Sequence, residues 1–275
     1  MTRSRRFGLV AMLAFAALAG VAFAHGDLHE QIANVTAQIR KSPDSADLYL
    51  KRAELHRLHE EWPAAAADYN RAEQLAPTAV ATHLGRGKLL LATGRLDEAK
   101  AELGKFIAAN PGHVDALVTR ARVETKRKEP LAAAGDFARA IALAPRPEPE
   151  FYLERAQSLA AAGDDHIAEA LRCLDDGTEK LGNLPTLGLY AIELDLRRKN
   201  FDAALARVEK LSAGSPRKEG WLERRGDILT AAGRPGEART AYAAASEALR
   251  ALPAHRRATK ATSELEERLK QKTAR

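Results

Sequence analysis

The 275-residue sequence holds a single cysteine, Cys173, two methionines and few aromatic residues, 5% of the chain. One cysteine excludes an internal disulfide framework and any C-x-x-C metal or redox motif. Strand-favouring runs of Val, Ile and Thr are absent and the apolar set is dominated by Ala and Leu, which predicts an all-α protein. Enzymatic signatures are missing too: there is no G-x-S-x-G elbow, no phosphate-binding glycine loop and no H-E-x-x-H. Gly85-Arg86-Gly87 lies inside a predicted helix with no strand before it, so it does not read as a nucleotide loop. The pairs Asp164-Asp165 and Asp175-Asp176 fall at turns or helix ends, where aspartate caps. Cys173 falls in a predicted helix as a packing residue. No catalytic residues and no cofactor are expected.

Charge of one sign is also in short supply. The chain has 43 basic and 37 acidic residues, and removing Arg3, Arg5 and Arg6 with a processed leader leaves 40 against 37. The remaining charges alternate in sign, as on solvated helix faces, which argues against a nucleic-acid partner. Those three arginines open the sequence as a basic region. An apolar stretch follows from Phe7 to about Gly20, and Ala22-Phe23-Ala24 closes it as a small-residue cleavage site. The competing reading is a retained membrane anchor, since the stretch approaches the length at which spanning becomes plausible. Its Ala and Gly content and the A-x-A end favour cleavage after Ala24. The expectation is a bacterial protein, periplasmic or secreted, with no membrane contact after processing.

What the sequence does have is a rhythm. Pro43, Pro77, Pro111 and Pro145 stand 34 residues apart. Small residues recur at fixed offsets from the last three prolines, at Ala53, Gly87 and Ala121 and again at Ala65, Ala99 and Ala133. Large ones recur at Tyr69, Leu103 and Phe137, and Ala72, Phe106 and Ala140 share a further offset. Small residues belong where two helices approach closely, and large ones fill the gap between repeats. Pro63 and the Thr93-Gly94-Arg95 and Glu129-Pro130 turns fall where a second helix begins.

This pattern resembles the tetratricopeptide repeat family, over about residues 46–252. The resemblance implies an all-α, right-handed α-solenoid of about six helix–turn–helix repeats. Residues 1–24 form the leader and 25–45 an N-terminal half-repeat helix, with Leu28, Ile32, Val35 and Ile39 on its apolar face. Repeats one to three occupy 46–147. Repeats four to six occupy 148–252, the fourth and fifth divergent, with Arg207 where a large apolar residue is usual. Repeat five keeps Ala191 and Ala203 at its small positions. Residues 253–275 form a capping helix with Ala258, Ala261, Leu265 and Leu269 on one face.

Family members commonly bind a protein or peptide segment on a groove lined by first helices. Carried onto this sequence, the groove holds Leu50, Leu84, Val118 and Leu153 as an apolar row. Beside it run Glu54, Lys88, Arg122 and Gln157, with Arg57 and Leu91 completing the lining. The apolar row has an equally good reading as core packing. The carboxylate clamp of chaperone-docking members needs Lys and Asn where Leu50 and Glu54 stand, so it is not expected. Arg86 and Arg120 occupy a position that faces neighbouring helices. The expected function is a non-catalytic adaptor holding a partner polypeptide, with self-association through repeats four and five as a further possibility.

Histidines supply an alternative from another class. Cleavage after Ala24 would make His25 the N-terminal residue, with His29 four residues on, and an N-terminal histidine chelates copper through its amine and ring. His56 and His59 lie on the first helix of repeat one, near where the N-terminal helix should pack. A metal site using His25 and His29 is therefore conceivable.

Overall fold

The computed structural model describes residues 27–273, and every element in it is helical. Helix α1 covers residues 27–41. The chain continues through α2 (Ala46–Leu58), α3 (Trp62–Leu75), α4 (Ala81–Ala92), α5 (Leu96–Ala109), α6 (Val114–Lys126), α7 (Pro130–Leu143) and α8 (Pro149–Ala162). After a single 3₁₀ turn, Asp164–His166, come α9 (Ile167–Leu181), α10 (Pro185–Arg197), α11 (Phe201–Ala213), α12 (Glu219–Ala231), α13 (Pro235–Arg250), α14 (Ala254–Arg257) and α15 (Lys260–Thr273). No helix among the described residues is long and apolar enough to cross a membrane.

Proline does two jobs here. Pro63, Pro130, Pro149, Pro185 and Pro235 sit at the first or second helical position, where the missing N–H would have had no partner. The periodic set, Pro43, Pro77, Pro111 and Pro145, lies just beyond a helix end, which it cannot continue. The turns inside five of the hairpins share a further feature. Glu60, Gly94 and Lys128 have φ of 61°, 76° and 61°, and Lys199 and Gly233 have 56° and 72°. These left-handed residues reverse the chain between the two helices of a repeat.

The chain divides between Glu129 and Pro130 into two compact units. In the first, α2 packs on α3, α4 on α5, and each second helix also rests on the next first helix. Ala53, Ala65 and Tyr69 are fully buried with Leu89 in one core, and Ala99 and Leu103 with Leu90 and Val123 in the next. A fully buried leucine of this kind contributes about 1.5–3 kcal/mol. The small positions are small for contact: a Cβ built on Gly87 would stand 2.6 Å from Leu103 Cγ. Helix α1 covers the start of this stack, with Val35, Ile39, Leu28 and Ile32 meeting Leu48, Tyr49 and Leu55.

In the second unit α8, α9 and α10 enclose a core of Tyr152, Ala156, Leu159, Ile167, Ala170, Leu174 and Leu187. The second helix of repeat four, α9, buries Ala170, Leu174 and Gly177. Two details differ from the sequence reading. In α11 the buried small residue is Ala204 and not Ala203, which is half-buried behind the Asn200 cap. The segment after Ala254 is two helices and not one. Thr259 accepts a hydrogen bond from the Thr262 amide, its hydroxyl donates to Thr262 Oγ1 at 2.8 Å, and α15 starts afresh there. That restart turns Thr262, Leu265 and Leu269 inward and leaves Ala258 and Ala261 exposed.

Candidate partner-binding surface

The first helices of the first unit, α2, α4 and α6, lie side by side. Each carries its apolar row residue four places before its polar one, so Leu50 and Glu54, Leu84 and Lys88, and Val118 and Arg122 share a face. Leu50, Leu84 and Leu91 are half-buried, each resting one side on a core cluster. Val118 is 4% exposed and belongs to the interior of its helix pack. Leu153 rests on the α8–α9 core in the second unit, and Gln157 is exposed.

The polar row is already engaged within the chain. Glu54 Oε1 accepts from the Tyr69 hydroxyl at 2.5 Å, and its Oε2 accepts from Arg57 Nη2 at 2.9 Å. Burial, with the Glu54 carboxylate as acceptor, pushes the Tyr69 phenol up from its ordinary value and keeps it protonated. Lys88 Nζ lies 2.6 Å from Asp115 Oδ2 on the neighbouring first helix. Arg122 is exposed on α6.

Residues outside the groove turn out to organise it. Arg86 leaves the groove side and bonds Glu73 at 2.7 Å and Asn70 at 3.1 Å on α3, with Glu102 on α5 at 3.4 Å. Arg52 makes the corresponding pair one repeat earlier, gripping Asp68 through two bonds of 2.7 Å. The buried acids Asp68, Glu102 and Asp136 stand 34 residues apart, as do Arg52, Arg86 and Arg120. Sequence reading found Arg86 and Arg120 and missed Arg52 and the acids, although the same period marks them. In repeat four the pair is Arg155 and Glu169, at 2.7 Å.

Cys173 is 1% exposed, its thiol donating to the Tyr152 carbonyl at 3.6 Å. Burial pushes it up to about 11, and the side chain packs in the α8–α9 core. Of the two histidines assigned to metal, His25 lies outside the described residues. His29 is exposed on α1 and packs edge-on to His59, ring centroids 4.2 Å apart. It meets Glu61 there as well, a residue the sequence reading did not include.

The period, hairpins and paired small residues accord with two family models. A tetratricopeptide repeat model matches residues 84–147, and a tetratricopeptide repeat-like domain matches residues 151–264. The chain belongs to the tetratricopeptide repeat family. Among curated proteins, DnaJ homolog subfamily C member 3 of Homo sapiens is 30% identical over 127 residues, covering 43% of this chain and 25% of that protein. The chain thus spans about a quarter of that relative's length. Two solved structures share the fold. The C-terminal part of a tetratricopeptide repeat-containing protein from Cytophaga hutchinsonii is 16% identical with a TM-score of 0.67, covering 90% of this chain and 98% of that one. A tetratricopeptide repeat protein from Parabacteroides merdae is 18% identical with a TM-score of 0.53, covering 89% and 93%. The tetratricopeptide architecture, an all-helical α-solenoid of stacked hairpins, is therefore that of this chain.

Proposed function

We propose that this chain is an exported, non-catalytic tetratricopeptide adaptor that holds a segment of a partner polypeptide along its first helices. The observation that carries this reading is the paired row on α2 and α4. Leu50, Leu84 and Leu91 stay half-exposed beside Arg57 and Lys88, and a bound segment would finish burying the leucines while the charges set its register. Residues 1–24 support export to the periplasm or beyond the cell, with cleavage leaving His25 first.

Crosslinking capture from the envelope extract of its own host tests the groove. The double variant Leu84→Ser with Arg122→Glu should lose the captured partner while keeping its helical content and a cooperative melt. Undiminished capture would sink the groove assignment. Mass spectrometry of the accumulated protein tests export separately, and a chain that retains residues 1–24 would count against it.

A further inference from the structure

Beside the first hairpin lies a cluster that the adaptor reading does not use. His29 on α1, His59 at the end of α2 and Glu61 at the start of α3 each bring one ligand-capable atom to within 4.8 Å of the others. We propose that these three residues form a binding site for a divalent transition-metal ion of the zinc and copper class.

The donor chemistry is specific. Two imidazoles and one carboxylate suit borderline cations and leave a fourth coordination position for water, whereas magnesium and calcium favour all-oxygen shells. The spacing is also close. Donors about 2.0–2.2 Å from a tetrahedral zinc stand about 3.3–3.6 Å from one another. The remaining contraction of roughly 1–1.5 Å is within reach of side-chain rotation at the exposed His29.

The surroundings hold the ligands as metal sites require. Glu61 Oε2 is bound to His56 Nδ1 at 2.5 Å, while its other oxygen, Oε1, faces His59 Nδ1 at 3.0 Å. His56 Nε2 in turn lies 3.8 Å from Asp68 Oδ2, and Arg52 fixes that aspartate with two bonds. His56 therefore holds the carboxylate from behind through Oε2 and leaves Oε1 turned to His59. The left-handed backbone of Glu60 sets the turn that delivers Glu61. Helix α1, seated by Val35 and Ile39, delivers His29. An ion held here would clip the first turn of α1 to the α2–α3 turn.

The test is a calorimetric titration of untagged full-length chain, stripped with a chelator and then given zinc chloride or copper chloride. The expected result is one ion per chain, with copper bound more tightly than zinc and no heat from magnesium chloride. His29→Ala, His59→Ala and Glu61→Gln should each weaken zinc binding at least tenfold. His29 is exposed, so its variant must keep the thermal melt of the parent and decides the matter if the others unfold. Absence of stoichiometric binding, unchanged affinity in His29→Ala, or equal binding of magnesium would overturn the proposal.

Discussion

Arg207 stands where the repeat pattern calls for a large apolar side chain, and its contacts explain the departure. Its Nε donates to Asp195 Oδ2 at 2.7 Å, and its terminal nitrogens donate to Asp175 at 2.5 and 3.0 Å. Asp195 is 2% exposed, so the arginine is the counter-ion of a buried charge. Its hydrogen bonds to Asp175 and Asp195 raise the guanidinium further above its usual value. Repeat five thus reverses the pairing seen in repeats one, two and four, with the acid on the first helix and the cation on the second. Arg207→Ala should destabilise the chain by about 3–5 kcal/mol in urea unfolding, because an unpaired buried carboxylate remains. Joint replacement by Arg207→Leu and Asp195→Leu should recover most of that loss. The sequence shows Arg207 as an anomaly, but its partners lie 12 and 32 residues away and only folding brings them to it.

At the scale of elements, the turns inside the hairpins were half legible. Gly94 and Gly233 announce a left-handed residue because glycine adopts positive φ without steric cost. Glu60, Lys128 and Lys199 adopt the same conformation with nothing in their side chains to favour it. Lys128→Gly should therefore stabilise the chain. Relief of a left-handed β-carbon, about 1–2 kcal/mol, outweighs the added freedom of the unfolded chain, about 0.5–1 kcal/mol. A rise of a few degrees in melting temperature is expected, and a fall would show that the turn prefers lysine for another reason. The helices themselves were readable because their apolar spacing and prolines are local signals. The break before α15 was not, since it depends on Thr259 and Thr262 bonding each other and Arg256 across the gap. The docking of α15 is tertiary as well. Arg268 and Lys272 both grip Glu223 on α12, and Lys272 also reaches Asp227 at 2.6 Å.

Across the whole molecule, carboxylates tied to cations make stability depend on acid. Arg86 holds the Glu73 carboxyl below its ordinary value near 4.5, and Arg268 and Lys272 do the same for Glu223. Burial pushes Glu102 up, but bonds from Lys105 and His83, both 2.8 Å, win and leave it lowered. A carboxylate whose folded value is depressed stabilises the fold above its unfolded value and loses that contribution as pH falls through the folded one. The urea midpoint should stay level from neutral pH to about 5 and then drop below about pH 4.5. Glu102→Gln should lower the neutral midpoint and make the drop shallower, and an unchanged slope would remove Glu102 from the account. By itself the sequence determined the family, the helical period and the small and large positions of the regular hairpins, though not those of repeat five. These follow from spacing along one chain, which a 34-residue repeat writes out several times. Tertiary structure alone decided that Asp68 and Glu102 receive their arginines, that Val118 lies inside, and that Glu61 joins His29 and His59. Those contacts form between helices, and the distance between helices is set by packing rather than by position in the chain.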